Sequence, residues 1–396
     1  MKTLLRFIFI TVFTFSFLST ECAWVQKSTY GGAARFGAVS FIIGANAYVG
    51  TGRIGIVCQS DFWKYNPAAD TWTQIADCGG SPRIAACSFS IGSLGYVGIG
   101  IDTATIPLDD LWAYDAVSNT WTQRARFPMG GRNSAVSFSV GSMGYIGTGF
   151  DSFTRNFDFW QYNPATNSWQ QKANLSNIER VGAIAFNIDS LGYVGLGIDG
   201  NNNLLQDFWQ FKPTSNTWTQ IADYGGGGRA VASAFSLDHK GYVGCGDTYG
   251  ILMNDFWAYD PQSNTWDSIE SGPDPRSWAT GFSIGHRGYI LLGTWPEHND
   301  VWEYNPNPTA TTTFDDVAQI TLSSGPKHTF ILKSNESIEN GFIKIYDVSG
   351  KLCFQKKLSV FNSQESIEHP LGSTEIYFWN FFDEDKLIAK GKVFVN

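Results

Sequence analysis

The stretch WTQIADCGGSPRIAACSFSIGSLGYVGIGIDTATIPLDDLWAYDAVSNT, residues 72–120, holds one complete copy of a unit that the chain repeats. It opens on a short tryptophan strand, Trp72-Thr73-Gln74-Ile75, bends through glycines, and launches from Arg83 into a strand of small residues ending at Ile91. The chain reverses over Gly92 to Gly95, runs through Tyr96-Val97-Gly98-Ile99-Gly100 and returns through Asp110-Leu111-Trp112-Ala113-Tyr114. At Trp121 the same order begins again.

Six copies align on an arginine: Arg35, Arg83, Arg132, Arg180, Arg229 and Arg276. Three positions later each copy has alanine, six later phenylalanine (Phe41 to Phe282), and thirteen later tyrosine (Tyr48 to Tyr289). The strand-opening tryptophans, Trp24, Trp72, Trp121, Trp169, Trp218 and Trp266, are spaced by 48, 49, 48, 49 and 48 residues. A period near fifty, with four short β-rich runs bounded by Gly, Asn or Pro turns, predicts propeller blades. Along each first strand a large residue on one face stands against small residues on the other, so that a blade's aromatic layer fills its neighbour's small-residue face. Six units supply first, second and third strands, but only five fourth strands follow them. The sixth is Trp24-Val25-Gln26-Lys27, expected to complete the last blade between Arg276 and Pro306 and so remove exposed sheet edges.

This pattern resembles the kelch repeat: an arginine opens the first strand, a glycine ends the second, Asp-x-Trp-x-Tyr forms the third, and Asn-Thr-Trp turns into the fourth. The resemblance covers residues 24 to 306 and implies an all-β fold, a six-bladed kelch β-propeller over residues 23–308. It departs from the usual glycine pair in having Gly50-Thr51-Gly52 and Gly98-Ile99-Gly100.

After Pro308 the pattern stops. Residues 309–315 read as a linker, and the alternating apolar strands of residues 316–396 predict a small antiparallel β-sandwich. Tyr346-Asp347-Val348-Ser349-Gly350-Lys351-Leu352, the Ile376-Tyr377-Phe378 strand and the closing strand resemble the C-terminal sorting domain of the type IX secretion system of Bacteroidota. It departs from that pattern in lacking a Tyr-Pro-Asn-Pro opening and in having Glu375 before Ile376. At the other end, Lys2 and Arg6 precede an apolar run from Phe7 to Leu18, the length of an export signal and short of a spanning helix. Residues 1–22 are expected to be a cleaved signal peptide. Export by that signal and passage through the type IX machinery would leave a monomeric protein secreted or attached to the cell surface, with no transmembrane segment.

The formal charge of −9, with no Lys/Arg cluster beyond the first six residues, carries no footprint for nucleic acid. Six cysteines are too sparse for a disulfide scaffold and lack the CxxC pairs of a zinc site. Cys58 and Cys78 fall on the same face of one blade and form a candidate disulfide.

A residue repeated six times is most economically scaffold, so function is sought in the departures. The second-to-third-strand loops vary most, and in a propeller they ring the channel mouth. Candidate ligand-binding residues there are Arg53, Asp102, Asp151, Arg155, Asp199, Asp247, Tyr249, Trp295, Glu297 and His298. Asp102, Asp151, Asp199 and Asp247 follow second strands and either approach a hard cation or cap their own turns, the commoner role. Trp295 either stacks on a sugar or packs into the blade. The six arginines either hold an anionic ligand at the channel mouth or pair with the equally recurrent Asp61, Asp110, Asp158, Asp207, Asp255 and Asp300.

Kelch propellers include galactose oxidase, whose copper site requires a histidine and tyrosine set that this chain does not supply. His239 and His286 fall on the face opposite His298, and His328 and His369 lie outside the propeller. A sialic-acid mutarotase of the kelch group needs only an acid/base pair, for which Glu179 with Arg180, or Glu297 with His298, are candidates. The reading favoured by the regular repeats and short loops is a non-catalytic module without cofactors that binds a glycan or a protein.

Overall fold

Five of the six units fold as four consecutive antiparallel strands. The first takes Val39–Ile43, Asn46–Gly50, Phe62–Asn66 and Thr71–Ile75. The computed structural model describes residues 23–294 and 296–306, together with the stretches 320–325, 329–334, 338–339, 341–347, 351–358, 360–361, 364–368, 375–383 and 386–395. The sixth sheet has Thr280–Ile284, Arg287–Leu291 and Val301–Tyr304, and its outermost strand is Trp24–Lys27 from the other end of the sequence. Trp24 lies opposite Tyr304 and Lys27 opposite Val301. The first strand of each blade touches the first strand of the next, and Thr280–Ile284 returns to touch Val39–Ile43. The result is a closed six-bladed β-propeller.

The blades interlock through an aromatic seated on a glycine. Phe41 stacks on Tyr48 of its own blade at a centroid separation of 5.2 Å and 7° between planes. A Cβ added to Gly95 of the next blade would stand 2.0 Å from the Phe41 ring. The same juxtaposition joins Phe89 to Gly144, Phe138 to Gly192, Phe186 to Gly241 and Phe235 to Gly288. Burying each ring stabilises the blade interface by about 1.5–3 kcal/mol. Any larger side chain at the glycine would force the blades apart.

Outer strands are latched in the same cyclic way. The Trp121 indole N–H donates to the Ala76 carbonyl of the preceding blade at 2.9 Å, while Asn119 Oδ1 accepts the Ala76 N–H at 3.0 Å. At the seam between chain ends, the Trp24 indole donates to the Glu270 carbonyl at 3.2 Å. Trp24 also packs on Phe256 and Tyr304, with centroids 4.9 and 5.0 Å away.

Around the axis the backbone itself forms a belt. Gly37, Ala85, Ser134, Gly182, Val231 and Trp278, each two residues after its arginine, all have φ between 48° and 65°. Each donates its N–H to the carbonyl of its counterpart in the preceding blade, Gly37 to Trp278 at 2.9 Å and Val231 to Gly182 at 2.8 Å, so six hydrogen bonds form a circle. Four of the six are glycine, alanine or serine, while Val231 and Trp278 adopt the same left-handed backbone. What remains at the axis is a cavity of about 110 Å³ lined largely by alanines such as Ala38, Ala86 and Ala135.

The chain divides into two compact units, Cys22–Pro308 and one that holds the strands after Thr309. The second is all-β: a three-stranded sheet (Ile320–Gly325, Thr329–Ser334, Gln364–Glu368) and a four-stranded sheet (Leu352–Lys357, Gly341–Tyr346, Glu375–Asp383, Lys386–Val395). Phe330 and Leu332, Ile343 and Ile345, and Trp379 and Phe381 are buried at alternate positions, the period-two signature of sheets with one covered face. Ile320–Gly325 touches Lys386–Val395, so the two sheets form a small sandwich. Among the described residues no helix is long and apolar enough to cross a membrane.

Candidate functional site

The face carrying the arginines also carries the second-to-third-strand loops and the blade-to-blade loops, because strands alternate in direction within every blade. Each arginine is buried, with at most 1% of its surface exposed. Arg83 donates through Nη1 to Asp110 Oδ1 at 2.6 Å and to the Ile99 carbonyl at 3.0 Å, and through Nη2 to Asp110 Oδ2 at 2.7 Å. Asp110 also accepts the Trp112 indole N–H at 2.7 Å. Arg35, Arg132, Arg180, Arg229 and Arg276 grip Asp61, Asp158, Asp207, Asp255 and Asp300 in the same two-pronged manner. The repeated guanidinium is therefore a brace that holds the first strand to the start of the third, and none is presented to a ligand. Burial alone would raise the Asp110 carboxyl, but the Arg83 guanidinium and the Trp112 N–H outweigh it and hold the group below the usual carboxylate range.

The loop aspartates cap their own turns. Asp102 Oδ1 accepts the Ile106 N–H at 2.8 Å, Asp151 Oδ1 accepts the N–H groups of Phe153 and Thr154, and Asp199 Oδ1 those of Asn201 and Asn203. Asp247 Oδ1 accepts the Gly250 N–H at 2.7 Å. Each carboxylate serves its own loop, and the four do not form a shared cation site.

Other candidates stitch neighbouring loops together. Arg155 donates to the Asp199 carbonyl and to Asn202 Oδ1, joining the third blade's loop to the fourth. The Tyr249 hydroxyl accepts the Leu204 N–H at 3.2 Å, joining the fourth to the fifth. Glu297 Oε1 accepts the Gly55 N–H at 2.8 Å, joining the sixth to the first. Arg53 folds back on its own loop, its Nε donating to the Gly55 carbonyl at 2.9 Å. Trp295 lies outside the described residues.

His298 sits beside Asp274 and Asp300, and one ligand atom from each lies within 4.8 Å of the others. The donor set does not fit a cation. Asp300 is committed to Arg276 through two bonds of 2.7 Å and to the Trp302 indole, which places a guanidinium where a metal would stand. Burial, then the charge of Arg276, depress the His298 imidazole below its ordinary value, and its Nε2 is buried without a hydrogen-bond partner. His239 and His286 pair with Asp189 and Asp238 on the opposite face, at 2.7 and 2.6 Å.

The expected disulfide is not formed: Cys58 and Cys78 are free thiols. They belong to different apolar clusters. Cys58 packs with Ile84 and Ala85 near the channel mouth, and Cys78 packs with Val39, Phe41 and Phe62 between the first two blades. Cys78 fills the slot that Tyr30, Phe127 and Tyr224 fill elsewhere, its N–H donating to the loop carbonyl of the preceding blade as theirs do. Burial pushes the Cys78 thiol up to about 12.

One feature of this face is not among the sequence candidates, Tyr249 excepted. Ile56, Val57, Ile106, Phe153, Tyr249 and Ile251 are exposed at the second-to-third-strand loops, and Met129 and Ile178 at blade-to-blade loops. Phe153 is 90% exposed and Tyr249 72%. Among the described propeller residues only two other large apolar side chains are exposed, Val25 and Val117. The signal was present as apolar residues inside Gly/Asp/Asn-rich turns, where the strand period gives them no core to face.

No family model matches the chain, and no curated protein matches it. Among solved structures it is similar to that of YjhT, with 17% identity over 69% of this chain and 94% of that one and a TM-score of 0.60, a likeness of fold.

Proposed function

We propose that this chain is an exported, non-catalytic binding module whose propeller presents its loop face to a protein or a glycan. The observation that carries this reading is the crown of exposed apolar side chains: of the ten large ones exposed among the described propeller residues, eight lie on the loop face. Such patches on soluble proteins mark interaction surfaces. The loops are also tied to one another by Glu297, Arg155 and Tyr249, which lowers the cost of ordering them on binding. An acid/base centre has less to build on, since Arg180 is held by Asp207 and Glu297 by the Gly55 N–H. Export and delivery to the surface or the medium follow from the Lys2–Leu18 signal pattern and the sorting-domain resemblance of residues 316–396; residues 1–22 lie outside the described residues.

The test is a glycan and protein array probed with the mature full chain and with the Ile106→Ser/Phe153→Ser double variant. Hits that survive on the wild type and fall at least about tenfold on a variant with unchanged melting temperature support the reading. Hits that the variant retains in full overturn it.

A further inference from the structure

We infer that the loop face docks a cationic protein surface, an inference that rests on the binding reading above and supplies the chemistry of its partner. The apolar crown says that something covers this face; the charge around it says what. Setting aside the six mutually neutralised arginine–aspartate braces, the second-to-third-strand loops carry Asp102, Asp109, Asp151, Asp199, Asp247 and Glu297. The blade-to-blade loops add Asp77, Glu179, Asp223, Glu270 and Asp274. Against these eleven carboxylates stand three basic side chains, Arg53, Arg126 and Arg155, which leaves −8 on this face.

The rest of the propeller, its strands and the turns of the opposite face, has seven acidic and seven basic residues between positions 23 and 306. Essentially the whole charge of the propeller therefore belongs to the loop side.

The few basic groups there are already engaged. Arg126 pairs with Asp109 at 2.6 Å, Arg155 is bound to the fourth blade's loop, and Arg53 to its own. Hydrogen bonds from loop N–H groups and from Asn203 and Asn156 keep Asp199 and Asp151 below the usual carboxylate range, so both are ionised at neutral pH.

A negative field of this kind extends over a Debye length of about 10 Å at 0.1 M salt. It repels sulfated or carboxylated glycans and attracts Lys/Arg-bearing surfaces, raising their association rate. A second copy of the propeller offers no complement, because it presents either the same acidic face or a balanced one. The exposed Phe153, Ile106 and Tyr249 then supply the apolar contacts of the docked surface, on the same loops as Asp102, Asp151 and Asp247.

The probe is an amphipathic Lys/Leu helical peptide, with its Glu/Leu counterpart as the charge-reversed control, titrated by fluorescence anisotropy into the mature full chain. Three variants are compared: Asp77→Asn/Asp223→Asn/Asp274→Asn on the loop face, Phe153→Ser in the crown, and Asp189→Asn/Asp238→Asn on the opposite face. The expected result is binding of the Lys/Leu peptide alone, weakened at least about tenfold by the loop-face triple variant and by Phe153→Ser, weakened by added salt, and unmoved by the opposite-face pair. Equal binding of the Glu/Leu peptide, or a triple variant without effect while Phe153→Ser still weakens binding, overturns the cationic partner but leaves the loop face as a binding surface. Insensitivity to both the triple variant and Phe153→Ser overturns the two readings together.

Discussion

Asp109 and Asp110 are adjacent in sequence and both face an arginine, yet replacing them should have very different consequences. Asp110 and Arg83 are joined by two short bonds, with side-chain exposures of 11% and 0%, whereas the Asp109–Arg126 pair has exposures of 31% and 64%. Asp110→Asn keeps the side-chain shape and removes the charge, stranding a guanidinium that is fully buried. Breaking a buried pair in this way costs about 3–5 kcal/mol. Spread over a unit of this size, that lowers the propeller's melting temperature by roughly 5–8 °C. Asp109→Asn removes a solvent-screened pair and should lower it by less than about 3 °C. Scanning calorimetry of both variants against the wild type measures the contrast. Because the Asp110 carboxyl is held below its unfolded value, its contribution is present above the unfolded carboxylate pKa of about 4 and is lost as pH falls through the folded value. The difference between wild type and Asp110→Asn should therefore narrow below about pH 4. Equal shifts for the two variants at neutral pH, or a gap that widens in acid, would refute the brace.

Closure of the ring is tested at Trp24: Trp24→Ala removes the packing on Phe256 and Tyr304 and the bond to Glu270, and should destabilise the propeller by about 3–5 kcal/mol in a denaturant titration. A change under about 1 kcal/mol would mean that the N-terminal strand is dispensable. The axial belt makes an opposite prediction at Val231, a β-branched residue held at φ 48°. Val231→Gly should leave stability unchanged or raise it by up to about 1 kcal/mol, while Gly182→Val, at φ 65° and facing Val231, should lower it by about 1–2 kcal/mol, both read from denaturation midpoints.

The repeat was legible because each blade solves the same packing problem with the same residues. The Arg-to-Tyr-to-Trp spacing predicted six sheets, and counting fourth strands pointed to Trp24 as the missing one, since an unpaired edge on the last blade would have had no other partner. The roles of Arg83 and Asp102 stayed open at that level. Both are polar residues near a channel mouth, and a one-dimensional pattern does not say whether a side chain points to a neighbour or to solvent. The structure resolved each by distance: Arg83 onto Asp110, Asp102 onto its own loop backbone. Cys58 and Cys78 misled because shared face does not imply shared cluster; each sulfur fills a separate apolar slot.

The sequence by itself determined the blade count and the strand order, because these depend on local alternation and on a period repeated six times. Only the tertiary structure decided which side chains are left exposed on the loop face. Ile106, Phe153 and Tyr249 lie in separate loops, about one and two repeat periods apart, and they share a face only when the ring closes and brings the six loops to one side. The eleven unbraced carboxylates are likewise scattered along the chain, and their field becomes a single surface only once the strands have carried them all to the same side.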